Sequence, residues 1–488
     1  MAEKAEYVSY ASRPKVLLKY FGQLCFVLAA LTIAPLFVSI VTAQGIVTLR
    51  YGMVAAGLTL IALFLRRLKT PAQVQTNEGM TLAALSFFFA PLIMTFPMMG
   101  SGLAFQDAFF EAVSGATTTG LSTLPTVENS SDAFLFARAW MQWYGGLGIM
   151  ALSLAFVFKP GLAAKGLAVS EKETDDLAGG TRIYARRVFM VYCAITVFGI
   201  LVLVLLGVRL FPALLYTLAS VSTGGFAPHD NSLAALPGWP IQGAVTLICL
   251  SCAVPLTWYY QLFRRESRGG VNLLQLKGIL GGSLLLMVLL GFCVSLQGTL
   301  PWREAFRHAP FMVLSAHTTA GFSTMEPAQL NEAGKALLIV AMLIGGGLGS
   351  TAGGFKILRL LIVMKVLQVA IKRTCLAKHA LLEPRLSGQK LDDKEIQDAM
   401  LVILLFAGVI GVSWVAFLAM GFGPLDSLFE VISATGTVGL SVGISGPDLP
   451  AFLKGVLCAD MLLGRLEIVA WLVVLNPGTW FGRRMTQQ

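Results

Sequence analysis

Charge is what this chain most lacks. Asp, Glu, Lys and Arg make up 13% of its 488 residues, about half the ~25% usual for a soluble domain. That is too little to solvate an aqueous surface, and 56% hydrophobic residues is too much for a disordered chain. Cysteine is scarce as well. The 7 thiols are odd in number, and all but Cys375 fall in apolar stretches, so no disulfide framework can be read. Cys249 and Cys252 share a helix face without a second pair of ligands, which argues against a zinc site. The 4 histidines have no ligand spacing to one another, and no Ser-His-Asp, paired-carboxylate or metalloprotease pattern occurs. Catalysis is left without residues to carry it. Neither an enzyme nor a covalently bound cofactor is expected.

Long apolar runs are present instead. A membrane-spanning helix needs about 20 apolar residues, whereas runs of about 10–14 are more often re-entrant or buried. Long runs lie at about 16–43, 46–65, 79–99, 135–158, 188–208, 240–262, 272–297, 333–370, 399–421 and 450–475. The first is too long for a cleaved signal peptide and no small-residue cleavage site follows it, so it reads as a retained anchor. Short segments at about 105–116, 210–221, 302–316 and 424–434 fall between pairs of long ones. The basic residues set an orientation. With the N-terminus inside, 28 of the 36 Lys and Arg fall in inner segments, as the positive-inside rule requires. The short segments then lie in the outer half. The net charge of +10 is explained by that bias and calls for no nucleic acid.

The short segments are copies of one unit. Asp107-Ala-Phe-Phe-Glu111-Ala-Val-Ser114-Gly-Ala-Thr-Thr118-Thr-Gly120-Leu-Ser122 repeats without a gap as Asp426-Ser-Leu-Phe-Glu430-Val-Ile-Ser433-Ala-Thr-Gly-Thr437-Val-Gly439-Leu-Ser441. Two further copies end in Thr223-Gly224-Gly225-Phe226 and Thr319-Ala320-Gly321-Phe322. All four carry Thr two residues before Gly, directly after a short apolar segment. Each unit reads as long helix, short helix, extended Thr-x-Gly strand, long helix. Non-helical backbone at membrane depth is tolerated only where it is buried or lines water, so four such loops predict a pseudo-fourfold ring. Glycine lets successive carbonyls point the same way, and a carbonyl ring can replace a cation's hydration shell. Thr437-Val438-Gly439-Leu440 is one substitution from the start of the potassium-channel filter, Thr-Val-Gly-Tyr-Gly. The candidate ion-binding residues are Thr118, Thr119, Gly120, Thr223, Gly224, Gly225, Thr319, Ala320, Gly321, Thr437, Val438 and Gly439. The transported ion they would hold is K+.

These features resemble the Trk/Ktr/HKT cation transporter superfamily, most of all its bacterial TrkH branch, over nearly the whole chain. Further matches are Gln142-Trp-Tyr-Gly-Gly-Leu-Gly148, Ser222-Thr-Gly-Gly-Phe-Ala-Pro-His-Asp230 and Leu463-Gly-Arg-Leu-Glu467. The fourth filter, Gly436-Thr-Val-Gly-Leu-Ser441, is more similar to KtrB-type members. The fold expected is an all-α polytopic membrane protein with about ten transmembrane helices. Four helix–pore-loop–helix units (71–160, 161–264, 265–372 and 373–488) would surround a central pore, after a two-helix extension at 1–70. The resemblance implies potassium-selective uptake across a bacterial inner membrane, a homodimer in lipid, and a cytosolic TrkA-like nucleotide-binding regulatory partner. Basic segments 264–277 and 371–394 are candidate docking surfaces for that partner. A sodium-permeable or sodium-coupled transporter of the same fold, and the potassium-translocating subunit of an ATP-driven pump, stand as alternatives.

One further motif interrupts the longest apolar run. Gly345-Gly346-Gly347-Leu-Gly349-Ser350-Thr351-Ala-Gly353-Gly354-Phe-Lys356 cannot hold a straight helix, each Gly costing about 1 kcal/mol relative to Ala. It should split the third unit's second helix below the filter and act as a gate. Gly349 and Gly354 have Walker spacing, but Phe355 stands where Lys is required, so no nucleotide site is expected. Arg465 lies inside the last apolar run, where a charge is costly and normally functional. On a continuous helix Glu467 would point about 200° away, so loop carbonyls of 345–354 or the aqueous pore are the candidate partners of Arg465. Glu111 and Glu430 are expected to brace the filter by hydrogen bonds, and His229, His308 and His317 to face solvent or serve as scaffold.

Overall fold

The computed structural model describes residues 11–70, 74–157, 177–264, 270–296, 298, 300–375 and 382–481. The basic residues expected at 159–172, 265–268, 378 and 483–484 lie outside the described residues. Apart from one short hairpin, Arg385–Leu386 with Gln389–Lys390, the described chain is helical wherever it is regular.

Among the described residues, six helices, Pro14–Val41, Gly45–Leu65, Thr76–Ser101, Ala185–Leu205, Gly270–Leu296 and Asp393–Ala419, are long and apolar enough to cross a membrane. Their outward faces carry Phe26, Phe37, Leu60, Phe64, Phe198, Leu284, Leu404 and Val412, all exposed. In water such faces would aggregate; in a bilayer they are the solvated side. The first two helices, α1 (Pro14–Val41) and α2 (Gly45–Leu65), pack side by side. They join the body through Trp140, whose indole N–H donates to the Leu31 carbonyl at 2.8 Å.

Each unit then runs first helix, short helix, loop, second helix. The first helices are α3 (Thr76–Met98), α6 (Leu177–Leu205), α10 (Gly270–Leu296) and α14 (Asp393–Ala419). The short helices are α4 (Phe105–Ala116), α7 (Leu210–Val221), α11 (Trp302–His317) and α15 (Pro424–Thr435). These match the short apolar segments of the sequence to within a residue. Acidic side chains occupy the first turns of α4, α11 and α15, where they complement the helix dipole.

The second helices depart from expectation. That of the first unit, α5 (Asp132–Val157), is continuous, but the other three are all broken. Only the break at 345–356, between α12 (Glu332–Ile344) and α13 (Ile357–Thr374), was legible as such. The run 240–262 divides into α8 (Trp239–Ala253) and α9 (Leu256–Arg264), with Val254 extended at ψ 149°. Pro255 is the cause, since it lacks an N–H and forbids helical backbone to the residue before it. The run 450–475 divides into α16 (Ala451–Arg465) and α17 (Val469–Leu475). Glu467 and Ile468 there take φ of 56° and 63°. Left-handed backbone at a β-branched residue is an outlier that packing must enforce.

Candidate functional site

The four short helices end in one conformation. At each C-terminus Thr takes left-handed backbone: Thr118 at φ 55°, Thr223 at 52°, Thr319 at 53° and Thr437 at 50°. Its N–H reaches back three residues and the next N–H reaches back five. In the first unit these bonds are Thr118 to Gly115 (3.0 Å) and Thr119 to Ser114 (2.9 Å); in the fourth, Thr437 to Ala434 (3.0 Å) and Val438 to Ser433 (2.8 Å). The second and third units repeat the pattern at Thr223–Gly224 and Thr319–Ala320. This is the Schellman termination, which normally uses Gly at the left-handed position. Four threonines there accept about 1–2 kcal/mol of strain each, and strain held four times over points to function rather than accident.

After each Thr the chain passes through x to a Gly with positive φ: Gly120 93°, Gly225 77°, Gly321 72° and Gly439 93°. The four segments touch in a closed cycle. A Cβ added to Gly120 would collide with the carbonyl oxygen of Gly224, one on Gly225 with that of Ala320, one on Gly321 with that of Val438, and one on Gly439 with that of Thr119. First unit meets second, second third, third fourth, and fourth first. Solvent reaches all four glycines, whereas the Thr and x residues are buried. The ring is therefore open on its glycine side and covered on its threonine side.

Its support differs from unit to unit. In the first, the Ser114 hydroxyl receives the Gly120 N–H at 3.0 Å and donates to the Leu121 carbonyl at 2.6 Å. In the fourth, Ser433 receives the Gly439 N–H at 3.1 Å. Ala219 stands at that place in the second unit, and there Gln142 substitutes. Its amide nitrogen donates to the Gly224 carbonyl and its oxygen accepts the Phe226 N–H at 3.1 Å. Glu111 accepts from the Thr123 N–H at 3.0 Å and from Arg138 Nε at 2.8 Å. Glu430 accepts from the Ser441 hydroxyl at 2.8 Å and from the N–H groups of Val442 and Ser445. Both glutamates thus brace the chain leaving the ring. Arg138 is buried, pairs with Glu111 and lies 3.8 Å from the Phe226 ring centre. Removing one partner of such a pair typically costs 3–5 kcal/mol.

Four residues here escaped sequence reasoning. Gln142 bonds across units and Arg138 pairs with Glu111 on another helix of its own unit, which no local pattern announces. Lys454 and Lys335 pair at 2.6 Å with Asp107 and Asp426, in the first turns of α4 and α15. A signal for the equivalent third-unit position was available. His308 lies 13 residues before Gly321, as Asp107 lies before Gly120. Its Nδ1 is 3.0 Å from the Thr324 hydroxyl, just as the Thr123 hydroxyl donates to Asp107 at 3.0 Å. His229 bonds Tyr216 and His317 bonds Ser283, so each of the three histidines near the ring has a neighbouring hydroxyl as partner.

The glycine-rich loop covers the ring's threonine side. Gly345, Gly349, Gly354 and Lys356 have φ of 67°, 80°, 72° and 70°. The Gly353 N–H donates to the Thr319 hydroxyl at 2.7 Å and the Gly354 N–H to the Gly436 carbonyl at 3.1 Å. The Thr223 and Thr351 hydroxyls are 3.2 Å apart. The other helix breaks meet the loop from the sides: Ala253 accepts the Gly347 N–H at 2.8 Å and Cys252 the Thr351 N–H at 3.2 Å. Gly346, Gly347, Ser350 and Thr351 all lie inside this contact zone. Arg465 is buried and donates from Nη1 to the Thr351 carbonyl at 2.8 Å; Lys356 donates to the Ala352 carbonyl. Of the two partners expected for Arg465, the loop carbonyl is the one found. Glu467 does not face Arg465, but for a different reason than helical phase: beyond the break its carboxylate pairs with Arg359 at 2.5 Å.

Four helix–loop–helix repeats thus converge on one ring of backbone oxygens among helices long and apolar enough to cross a membrane. The TrkH family, described as cation transport protein, matches residues 44–278 and 270–477, and the chain belongs to it. Among curated relatives, an uncharacterized cation transporter of Methanocaldococcus jannaschii is 28% identical, covering 94% of each chain. The Trk system potassium uptake protein TrkH of Halomonas elongata is 27% identical over 96% of this chain and 99% of its own length. The fold matches the crystal structure of the potassium transporter TrkH from Vibrio parahaemolyticus with a TM-score of 0.85, at 23% identity, covering 96% of this chain and all of that one.

Proposed function

We propose that this chain is a potassium-selective uptake pore. The observation that carries the reading is the closed cycle of Thr-x-Gly segments, each with its x carbonyl against the Gly of the segment before it in the cycle. Its left-handed threonines and glycines form a selectivity filter at Thr118–Gly120, Thr223–Gly225, Thr319–Gly321 and Thr437–Gly439. The short helices aim their negative ends at the cation, and the carbonyls take the place of its water. Ions run inward down the electrochemical gradient; an inside-negative potential of 100 mV contributes about 2.3 kcal/mol per charge. The loop 345–354 and Arg465 form the gate on the threonine side. The relatives named for potassium uptake support K+ as the cargo.

The test is rubidium uptake into liposomes holding the purified protein, with Na+ as competitor. Uptake should saturate with Rb+ or K+ and resist a tenfold excess of Na+. Equal competition by Na+ would turn the reading to a sodium-permeable transporter.

The setting belongs to the same proposal: a homodimer in a bacterial inner membrane, both termini cytoplasmic, served by a TrkA-like nucleotide-binding regulator. In a chain without native cysteines, Glu128→Cys should react with an impermeant thiol reagent applied from outside, and Lys390→Cys only after permeabilisation. Both positions are on the surface, Lys390 in the hairpin that follows α13. The reverse labelling would invert the orientation and the direction of the pore.

A further inference from the structure

The four filter threonines are equivalent in backbone but not in what their hydroxyls do. Thr319 Oγ1 accepts the Gly353 N–H at 2.7 Å, and Thr223 Oγ1 bonds Thr351 Oγ1 at 3.2 Å. Thr118 Oγ1 and Thr437 Oγ1, both buried, have no hydrogen-bond partner among the described residues. Gly353 nevertheless lies directly against Thr437: a Cβ there would collide with Thr437 Oγ1 and with the Gly436 carbonyl oxygen. The loop therefore lies against the hydroxyls of Thr319, Thr223 and Thr437 and bonds the first two.

Its polarity is as telling as its position. Toward the ring the loop presents N–H groups, those of Gly353 and Gly354, bonded to Thr319 Oγ1 and the Gly436 carbonyl. Away from the ring, its carbonyls at Thr351 and Ala352 are taken by Arg465 and Lys356. A cation at the threonine level needs the oxygens to which those N–H groups now donate, and it would face the positive ends of two peptide dipoles.

Building on the filter reading, we propose that the inner end of the filter is a site that a K+ ion and the loop occupy in alternation. The gate closes by taking the ion's own ligands, and an ion resting on the threonine ring holds the loop away. Gating and inner-site occupancy are then linked reciprocally. If closure requires an empty inner site, the open-to-closed ratio rises as 1 + [K+]/Kd, about elevenfold at ten times Kd.

Ser350 is buried in the loop and its hydroxyl donates to the Gly347 carbonyl, so Ser350→Cys in the full-length, otherwise cysteine-free protein reports opening by its thiol-labelling rate. In detergent at constant ionic strength, with choline as the replaced cation, the rate should climb several-fold and saturably with K+ and stay flat with Na+. A second arm changes the loop and leaves the ring intact. Thr351→Val removes the Thr223 contact, so basal labelling should increase, and K+ should bind about threefold more tightly, as followed by K+-dependent thermal stabilisation. A looser loop with unchanged K+ affinity, or a labelling rate indifferent to K+ in protein that binds K+, overturns the alternation while leaving the filter standing. Absence of any K+-specific stabilisation removes both.

Discussion

Replacing Gly120 or Gly439 by Ser should collapse discrimination between K+ and Na+ by at least about tenfold, which corresponds to a loss of only 1.4 kcal/mol in relative affinity. Both glycines have φ of 93°, where an L side chain is strained, and both face a neighbour's carbonyl oxygen at less than contact distance for a Cβ. The new side chain must push aside Gly224's carbonyl in one case and Thr119's in the other. Those carbonyls are the oxygens proposed to replace the hydration shell, so the ring loses its spacing at one of four points. Gly408 supplies the control: it is exposed on α14 with nothing near its would-be Cβ, and Gly408→Ser should leave the ratio intact. Reversal potentials or tracer ratios in liposomes measure the effect. Normal selectivity in both filter mutants at normal expression would remove the filter from these segments.

The register of the ring was legible because it is written locally. A Thr two residues before a Gly, after a short apolar segment, recurs four times, and local backbone chemistry suffices to end each helix alike. The order of contact around the ring is a property of the assembled units, and no local pattern contains it. The glycine-rich break was legible for the same local reason. The breaks at Pro255 and Glu467 were hidden because apolar composition continues straight through them, and a single proline in a membrane helix more often kinks than divides it. Glu467 avoids Arg465 as expected, but the phase argument holds only on a continuous helix, and that helix ends at Arg465. The bonds of Gln142 and Lys454 cross between units, 82 and 347 residues from their partners, and Arg138 reaches Glu111 27 residues away on another helix of its own unit, beyond any pattern that one sequence displays.

Excising the loop should raise ion flux, and so should removing Arg465, but the two together should do less than the sum. The loop leaves and rejoins the helices through a narrow neck: a Cβ on Gly345 would sit 2.9 Å from Gly354 Cα, and the Phe355 N–H bonds the Leu343 carbonyl at 2.9 Å. Deleting residues within 346–353 therefore need not pull α12 and α13 from their places. Arg465→Ala acts through two causes. The Thr351 carbonyl loses the donor that holds it at 2.8 Å, freeing the loop, and a unit charge leaves the path. At an effective dielectric constant of about 20, such a charge 4 Å from a passing cation costs about 4 kcal/mol, roughly a thousandfold in Boltzmann weight. Water in an open pore screens most of that, so a rise of about ten- to a hundredfold is the expected scale. Both changes act on one constriction, and residues sharing a constriction do not add. In the loop-deleted protein Arg465→Ala retains only its electrostatic part, which further separates from tethering because high salt weakens it. Liposome flux for each single variant and the double variant, at low and high ionic strength, reads all four terms. Reduced flux in a well-folded loop deletion would make the glycines helix-packing residues, and Arg465 a buried cation that serves the fold alone.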